Sequence, residues 1–150
     1  MVSISTVGVL LDFEAGRARL RADATAALMR IAKRADVYLV TTLPEDSDAC
    51  EAAALEAMTH AGLFAEDGCE PSKAMFCSTE DGRSAMARQL APSVHIDTSP
   101  KVLQYLAPHL KSVVYVDAAS SPLENADGLV RARSLADYAE VLGCGGPARA

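Results

Sequence analysis

Tryptophan is absent from this sequence, and aromatic residues make up only 5% of its 150 positions. A core without many large rings has to be built mostly from Ala, Leu, Val and Met. No apolar run approaches the roughly 20 residues that a membrane helix needs, so no membrane segment is expected within the chain. Met1 to Leu11 has neither the basic start nor the cleavage site of a secretory signal. The last residues, Ala148-Arg149-Ala150, carry no lipidation or peroxisomal import tripeptide. Basic charge does not predominate either: 14 Lys and Arg stand against 20 Asp and Glu, for a net charge of −6. An acidic surface does not draw in nucleic acid or anionic lipid, so neither is expected as a partner. The four cysteines, Cys50, Cys69, Cys77 and Cys144, form no C-x-x-C pair. Zinc and dithiol chemistry favour that spacing, so free thiols of a reducing compartment are expected, and no metal or cofactor is assigned.

What is present is the composition of an ordinary globule, 50% hydrophobic and 23% charged. The length suits one domain, and the pattern predicts a single α/β domain over residues 1–142 with a flexible tail over 143–150. Val2 to Leu11 (VSISTVGVLL) is β-branched and then almost wholly apolar, which predicts a buried strand. Further strands are predicted at Val37–Thr41, Ala74–Cys77, Val94–Ile96 and Val113–Val116. Between them the spacing predicts helices: Ala22–Arg34, with Leu28, Ile31, Ala32 and Ala35 inward; a second opened by Pro44-Glu45-Asp46 and stopped at Gly62; a third capped by Ser78 with Asp81, its buried face marked by Met86 and Leu90; and a fourth capped by Thr98 or Ser99 with Pro100 just inside. Ser120–Leu129 reads as a polar loop and Ser134–Leu142 as a terminal helix. Strands alternating with helices give a three-layer Rossmann-like α/β fold, a mostly parallel five-stranded sheet with helices on both faces.

In such folds chemistry sits beyond the carboxyl ends of the strands. On this reading the first strand ends in Asp12-Phe13-Glu14, the second in Thr41-Thr42 and the fourth in Asp97, while Lys73 precedes the third. Two acids, a hydroxyl, a lysine and another acid resemble the haloacid dehalogenase-like layout. There, the resemblance implies, Asp12 attacks phosphorus, Glu14 shuttles the proton, Thr41 and Lys73 hold phosphoryl oxygens and Asp97 binds magnesium. The pattern is degenerate. Glu14 stands where Asp is usual, no Gly-Thr follows the pair, and Asp97 is alone. A magnesium-dependent phosphohydrolase is therefore the alternative reading, and no enzymatic activity is the leading one.

Other features carry less. Gly143-Cys144-Gly145-Gly146 follows a helix rather than a strand, so it reads as a helix stop and not a phosphate loop. His60 and His109 read as surface residues. His95 alternates with Val94 and Ile96, so it points to the opposite face of its strand and predicts a polar contact under a helix. No Ser/His/Asp or Cys/His triad is legible. Arg17, Arg19 and Arg21 alternate with Ala18 and Leu20 and read as a solvated loop, with a partner contact as the alternative.

The stretch from Phe76 to Pro100 is the most distinctive. Phe76-Cys77-Ser78-Thr79-Glu80, Gly82-Arg83, Arg88-Gln89-Leu90, His95-Ile96-Asp97-Thr98 and Pro100 together resemble the soluble domain of the peroxin-22 family, especially its plant and algal form. The likeness runs from about Val7, past Asp36-Val37-Tyr38-Leu39 and Ala61-Gly62-Leu63-Phe64, to Leu106. Val113 to Arg133 matches less well. The resemblance implies a Rossmann-like adaptor that binds the peroxisomal ubiquitin-conjugating enzyme, peroxin-4, and supports ubiquitination and recycling of the import receptor. It implies the cytosolic face of the peroxisomal membrane if an upstream anchor exists, and the cytosol otherwise. Cys77, Ser78, Thr79, Glu80, Gly82, Arg83, Arg88, Gln89, His95, Asp97 and Thr98 are marked as family residues for recognition or packing.

Overall fold

Four residues, Val2–Ser5, form strand β1, an interior strand of a seven-stranded sheet. A computed structural model describes residues 1–118, 125–126 and 128–142. The Gly143–Gly146 run, Cys144 and the tail over 143–150 lie outside the described residues. The other strands are β2 (Leu11–Glu14), β3 (Arg17–Leu20), β4 (Val37–Thr42), β5 (Ala74–Cys77), β6 (Val94–Asp97), β7 (Ser112–Val116), β8 (Asn125–Ala126) and β9 (Leu129–Ala132). The helices are α1 (Ala22–Ala32), α2 (Asp48–His60), α3 (Glu80–Leu90), α4 (Pro100–Leu106) and α5 (Leu135–Val141).

The main sheet runs β5-β4-β1-β6-β7-β9-β8. All its pairs are parallel except β8 with β9. The α/β class, the parallel pairing and the helical layers agree with the sequence. The strand number does not: β9 adds a sixth parallel strand, and β8 adds an antiparallel one inside the stretch expected to be a loop. Numbered among themselves, the parallel strands follow the doubly wound order 3-2-1-4-5-6, in which direction reverses between the first and fourth. Here that switch point lies between β1 and β6.

Two cores flank the sheet. The larger joins Ile4, Leu39, Ile96 and Val114 to Leu28 and Ile31 of α1, Ala54 and Met58 of α2, and Leu135 and Tyr138 of α5. The smaller joins Ala87 of α3 and Val102, Leu103 and Leu106 of α4 to Val113. Each buried Leu, Ile, Val or Met among them contributes about 1.5–3 kcal/mol by leaving water. Local signals set the helix ends. Ser47, Thr79, Ser99 and Ser134 each accept a backbone N–H of the first turn. Gly62, at φ +81°, follows the last turn of α2 as expected. Two caps shift: α2 starts after Ser47 rather than at Pro44, and α3 is capped by Thr79 rather than Ser78.

The largest correction concerns the first apolar run. β1 ends at Ser5, not Leu11. The Thr6 carbonyl accepts the N–H groups of Val9, Leu10 and Leu11, at 3.1, 2.7 and 3.0 Å, and so closes a tight turn. Gly8, at φ +86°, permits that turn. Val9, Leu10 and Leu11 are still buried, but by turning back against the larger core rather than by extending β1. The chain then forms a hairpin of β2 and β3, so Arg17 and Arg19 lie in a strand rather than a loop. Among the described residues no helix is long and apolar enough to cross a membrane.

Candidate functional site at the strand ends

A cleft of roughly 360 Å³ opens at the switch point, lined by Val7, Asp12, Phe13, Thr42, Arg83 and Thr98 among others. This is where a doubly wound fold is expected to hold its ligand. The residues assigned from sequence to phosphoryl chemistry do not assemble there as a set. The end of β1 carries Ser5, Thr6 and Val7, with no carboxylate. Asp12 and Glu14 sit on the hairpin instead. Asp12 accepts two hydrogen bonds from Arg21, at 2.8 and 3.1 Å. Glu14 is exposed, with Arg19 at 3.9 Å. Thr41 is fully buried and shares a 2.7 Å hydrogen bond with Thr6. Lys73 precedes β5 and therefore lies at the amino edge of the sheet, the far end from the cleft. There it meets Asp36 at 3.4 Å and Glu70 at 3.7 Å and covers the Tyr38 ring. Burial alone lowers its pKa, but the neighbouring Asp36, Glu70 and Tyr38 together raise it.

Asp97 does lie at the end of β6, and it is wholly buried. Its Oδ2 accepts from Arg83 Nε at 3.0 Å and from His95 Nε2 at 2.9 Å. Its Oδ1 accepts from Arg83 Nη2 at 3.1 Å and from the backbone N–H groups of Thr98 and Ser99 at 2.7 and 2.9 Å. Burial raises the carboxyl pKa, but the His95 hydrogen bond, the His95 and Arg83 charges and the Ser99 N–H outweigh it, leaving Asp97 below the usual carboxylate range. It is an acceptor with every lone pair engaged.

Around this carboxylate the structure builds a network that sequence spacing did not show. Arg83 Nη1 donates to Thr42 Oγ1 at 2.9 Å, and Thr42 Oγ1 lies 3.4 Å from Cys77 Sγ. Ser99 donates to Glu80 Oε2 at 2.8 Å, and Glu80 stands 3.8 Å from Arg83. On the other side, Ser3 Oγ is 2.7 Å from His95 Nδ1. The expected polar contact of His95 is therefore present on the sheet face that α3 and α4 cover.

Ser3, His95 and Asp97 have the composition of a hydrolytic triad, which no spacing had revealed. All three are 0% exposed. The serine also meets Nδ1 and the carboxylate Nε2, the reverse of the arrangement in serine hydrolases. With no access for a substrate the trio is packing, not catalysis.

The family-marked residues divide by burial. Arg83, His95 and Asp97 point inward, and Arg83 with Ala87 replaces the expected Met86 and Leu90 as the buried side of α3. Glu80 is partly exposed at the rim of the network. Gly82 lies against Thr79, whose hydroxyl accepts the Gly82 N–H at 2.9 Å. Thr98 lines the cleft and lies close to Gly8. Cys77 is partly buried, and Ser78, Thr79, Arg88 and Gln89 are exposed. Cys50, Cys69 and Cys77 are free thiols. Burial pushes Cys69 up to about 11, against a smaller lowering by Lys73. His60 and His109 are exposed, as expected.

Comparison with known proteins bears on both fold and family. Residues 3–136 match a family described as "Peroxisome biogenesis protein 22, Haloacid dehydrogenase-like domain". Over 122 residues the chain is 34% identical to peroxisome biogenesis protein 22 of Arabidopsis thaliana, a match that covers 81% of this chain and 42% of that protein. The chain thus spans less than half the length of that relative. Among solved structures it is similar to a D,D-heptose 1.7-bisphosphate phosphatase from B. bronchiseptica complexed with magnesium and phosphate. The TM-score is 0.69 at 16% identity, covering 97% of this chain and 98% of that one. At that identity the likeness is one of fold.

Proposed function

Since the chain belongs to the family of peroxisome biogenesis protein 22, we propose that it is a non-enzymatic adaptor for a ubiquitin-conjugating enzyme, the peroxin-4 of peroxisomes. In this reading it holds that enzyme at the cytosolic face of the peroxisomal membrane and supports ubiquitination and recycling of the import receptor. The observation that carries the proposal is the family match over residues 3–136. Membership supports a role in peroxisome biogenesis; the conjugating enzyme as partner is the finer step. The strand ends lend support. Asp97 is saturated by the chain's own donors, Lys73 is at the wrong edge, and β1 ends without an acid.

Recognition belongs to those family-marked residues that reach the surface, chiefly Ser78, Arg88 and Gln89. Arg88 is of the type favoured at interface anchors. The buried members fix the shape of the helix that presents Arg88. The test is to mix the chain with the cognate conjugating enzyme at micromolar concentration on a sizing column. Co-elution is expected, with about 1,200–2,000 Å² buried in the complex. Independent elution of the two proteins overturns the proposal.

A further inference from the structure

We infer that Arg83 takes the structural place of the divalent cation that this fold implies at its strand ends. The chain's own guanidinium neutralises Asp97 and ties α3 to β4 and β6. This inference does not rest on the adaptor reading, because it concerns the inside of the cleft and not its partner.

The phosphatase of similar fold was solved with magnesium and phosphate. The residues of this chain do not fit a metal at the corresponding end of the sheet. A magnesium ion needs free oxygen ligands in near-octahedral array. Asp97 offers none: its two oxygens already accept five contacts, from Arg83 twice, His95, Thr98 and Ser99. Of the other hydroxyls at the strand ends, Thr42 is engaged by Arg83 and Thr6 by Thr41, which leaves Ser5 as a single neutral oxygen, too few for a magnesium shell. Asp12, on the cleft wall, is held by Arg21. A second cation against Asp97 would also face the Arg83 charge within a few ångströms, at a low-dielectric position where repulsion is strong.

What the guanidinium supplies instead is geometric. Arginine stays charged at all ordinary pH, and its planar fork matches a carboxylate. Its bonds run from α3 to β6 through Asp97 and to β4 through Thr42, across the place where a ligand would sit. Only 8% of Arg83 is exposed, which is unusual for an arginine and consistent with a built-in ion rather than a surface charge.

Two measurements test this. The unmutated chain is titrated with magnesium chloride, by calorimetry and by melting, against sodium chloride at matched ionic strength. No saturable heat and no magnesium-specific rise in Tm are expected; either one overturns the inference. In the second measurement, Arg83→Ala and Asp97→Asn are melted singly and together. Stranding the buried partner should lower Tm by roughly 6–20 °C in Arg83→Ala. The double variant should lose clearly less than the two single losses added. Millimolar methylguanidinium should restore part of the Arg83→Ala loss while leaving the unmutated chain unchanged. Additive losses, or rescue of Arg83→Ala by sodium chloride as complete as by methylguanidinium, overturn the inference. If Arg83→Ala does not fold, Arg83→Lys replaces it. Lys keeps the charge without the fork, and a Tm equal to that of the unmutated chain overturns the inference.

Discussion

Ser3 and His95 are registered neighbours on parallel strands, and their side chains meet at 2.7 Å. Because Asp97 only accepts, His95 Nε2 carries a hydrogen, and the Ser3 hydroxyl is the partner of Nδ1. Removing that hydroxyl strands a buried ring nitrogen. Ser3→Ala is expected to cost about 1–3 kcal/mol. Ser5, two residues on, is equally buried, but its hydroxyl has no hydrogen-bond partner among the described residues. Ser5→Ala should therefore stay within about 0.5 kcal/mol of the parent or gain slightly. Urea unfolding of the two variants distinguishes them; equal costs would mean that the Ser3–His95 bond contributes nothing.

Asp97 gives the fold a defined acid sensitivity. Its carboxyl is held below its ordinary value in the folded chain, so the unfolded chain binds the proton more tightly. The stability this contributes is full above the ordinary Asp pKa of about 3.9 and is lost as pH falls through the lower folded value. Melting temperature followed downward from about pH 6 should fall over that window, and Asp97→Asn should flatten the part of the fall due to this group. An unchanged slope in the variant would show that other carboxylates set the acid limit.

Gly8 packs against Thr98, a residue of the cleft wall. A Cβ on Gly8 would stand 3.1 Å from Thr98 Cγ2, at a φ of +86°. Gly16, in the hairpin turn at φ +77°, has nothing within 4 Å. Gly16→Ala should therefore cost only backbone strain, about 1–2 kcal/mol, and Gly8→Ala should cost more. Thr98→Ser, which removes Cγ2, should recover part of the Gly8→Ala loss and nothing at Gly16. Denaturant midpoints of the four variants provide the measurement.

The Asp12–Arg21 pair is a surface pair, with both side chains more than 40% exposed. Asp12→Asn should change stability by less than about 1 kcal/mol. The unmutated chain should leave an aryl phosphate intact in the presence of magnesium. Turnover that disappears in Asp12→Asn would restore the hydrolytic reading.

The legibility of the sequence differs from element to element for physical reasons. β4 and β7 and the α4 and α5 caps follow from local rules, because β-branched runs and a serine or threonine before a helix act over a few residues. The first strand misled because its apolar run continues past Ser5, and burial does not distinguish an extended strand from a turn wound against the same core. Gly8 was the available sign, since a lone glycine in a strand pattern marks a close approach or a break. That error carried Asp12 and Glu14 to a strand end they do not occupy. On α3, helix spacing picked out Met86 and Leu90 because it assumes an apolar interior. Arg83 is buried only because Asp97, 14 residues away, waits beneath it. β9 escaped notice because its four residues include an arginine and lie in the stretch least like the family. The family block around residues 76–100 was legible as chemistry, yet its arrangement as an inward network needed the sheet register.

β1 precedes its sheet partners in the sequence and lies between two of them, β4 and β6. One neighbour, β4, is available after a few dozen residues, but Ser3 finds His95 only across 92 positions. A nascent chain therefore holds β1 as an open sheet edge, its Ser3 and Ser5 face uncovered, until β6 emerges. Closure over such a separation is slow, and an unpaired edge is open to pairing with other chains meanwhile. Serines at alternate positions make that edge half polar, a poorer template for aggregation than an all-valine strand would be. The network under α3 is thus also a checkpoint in synthesis: it cannot form until the chain has been made past Ser99.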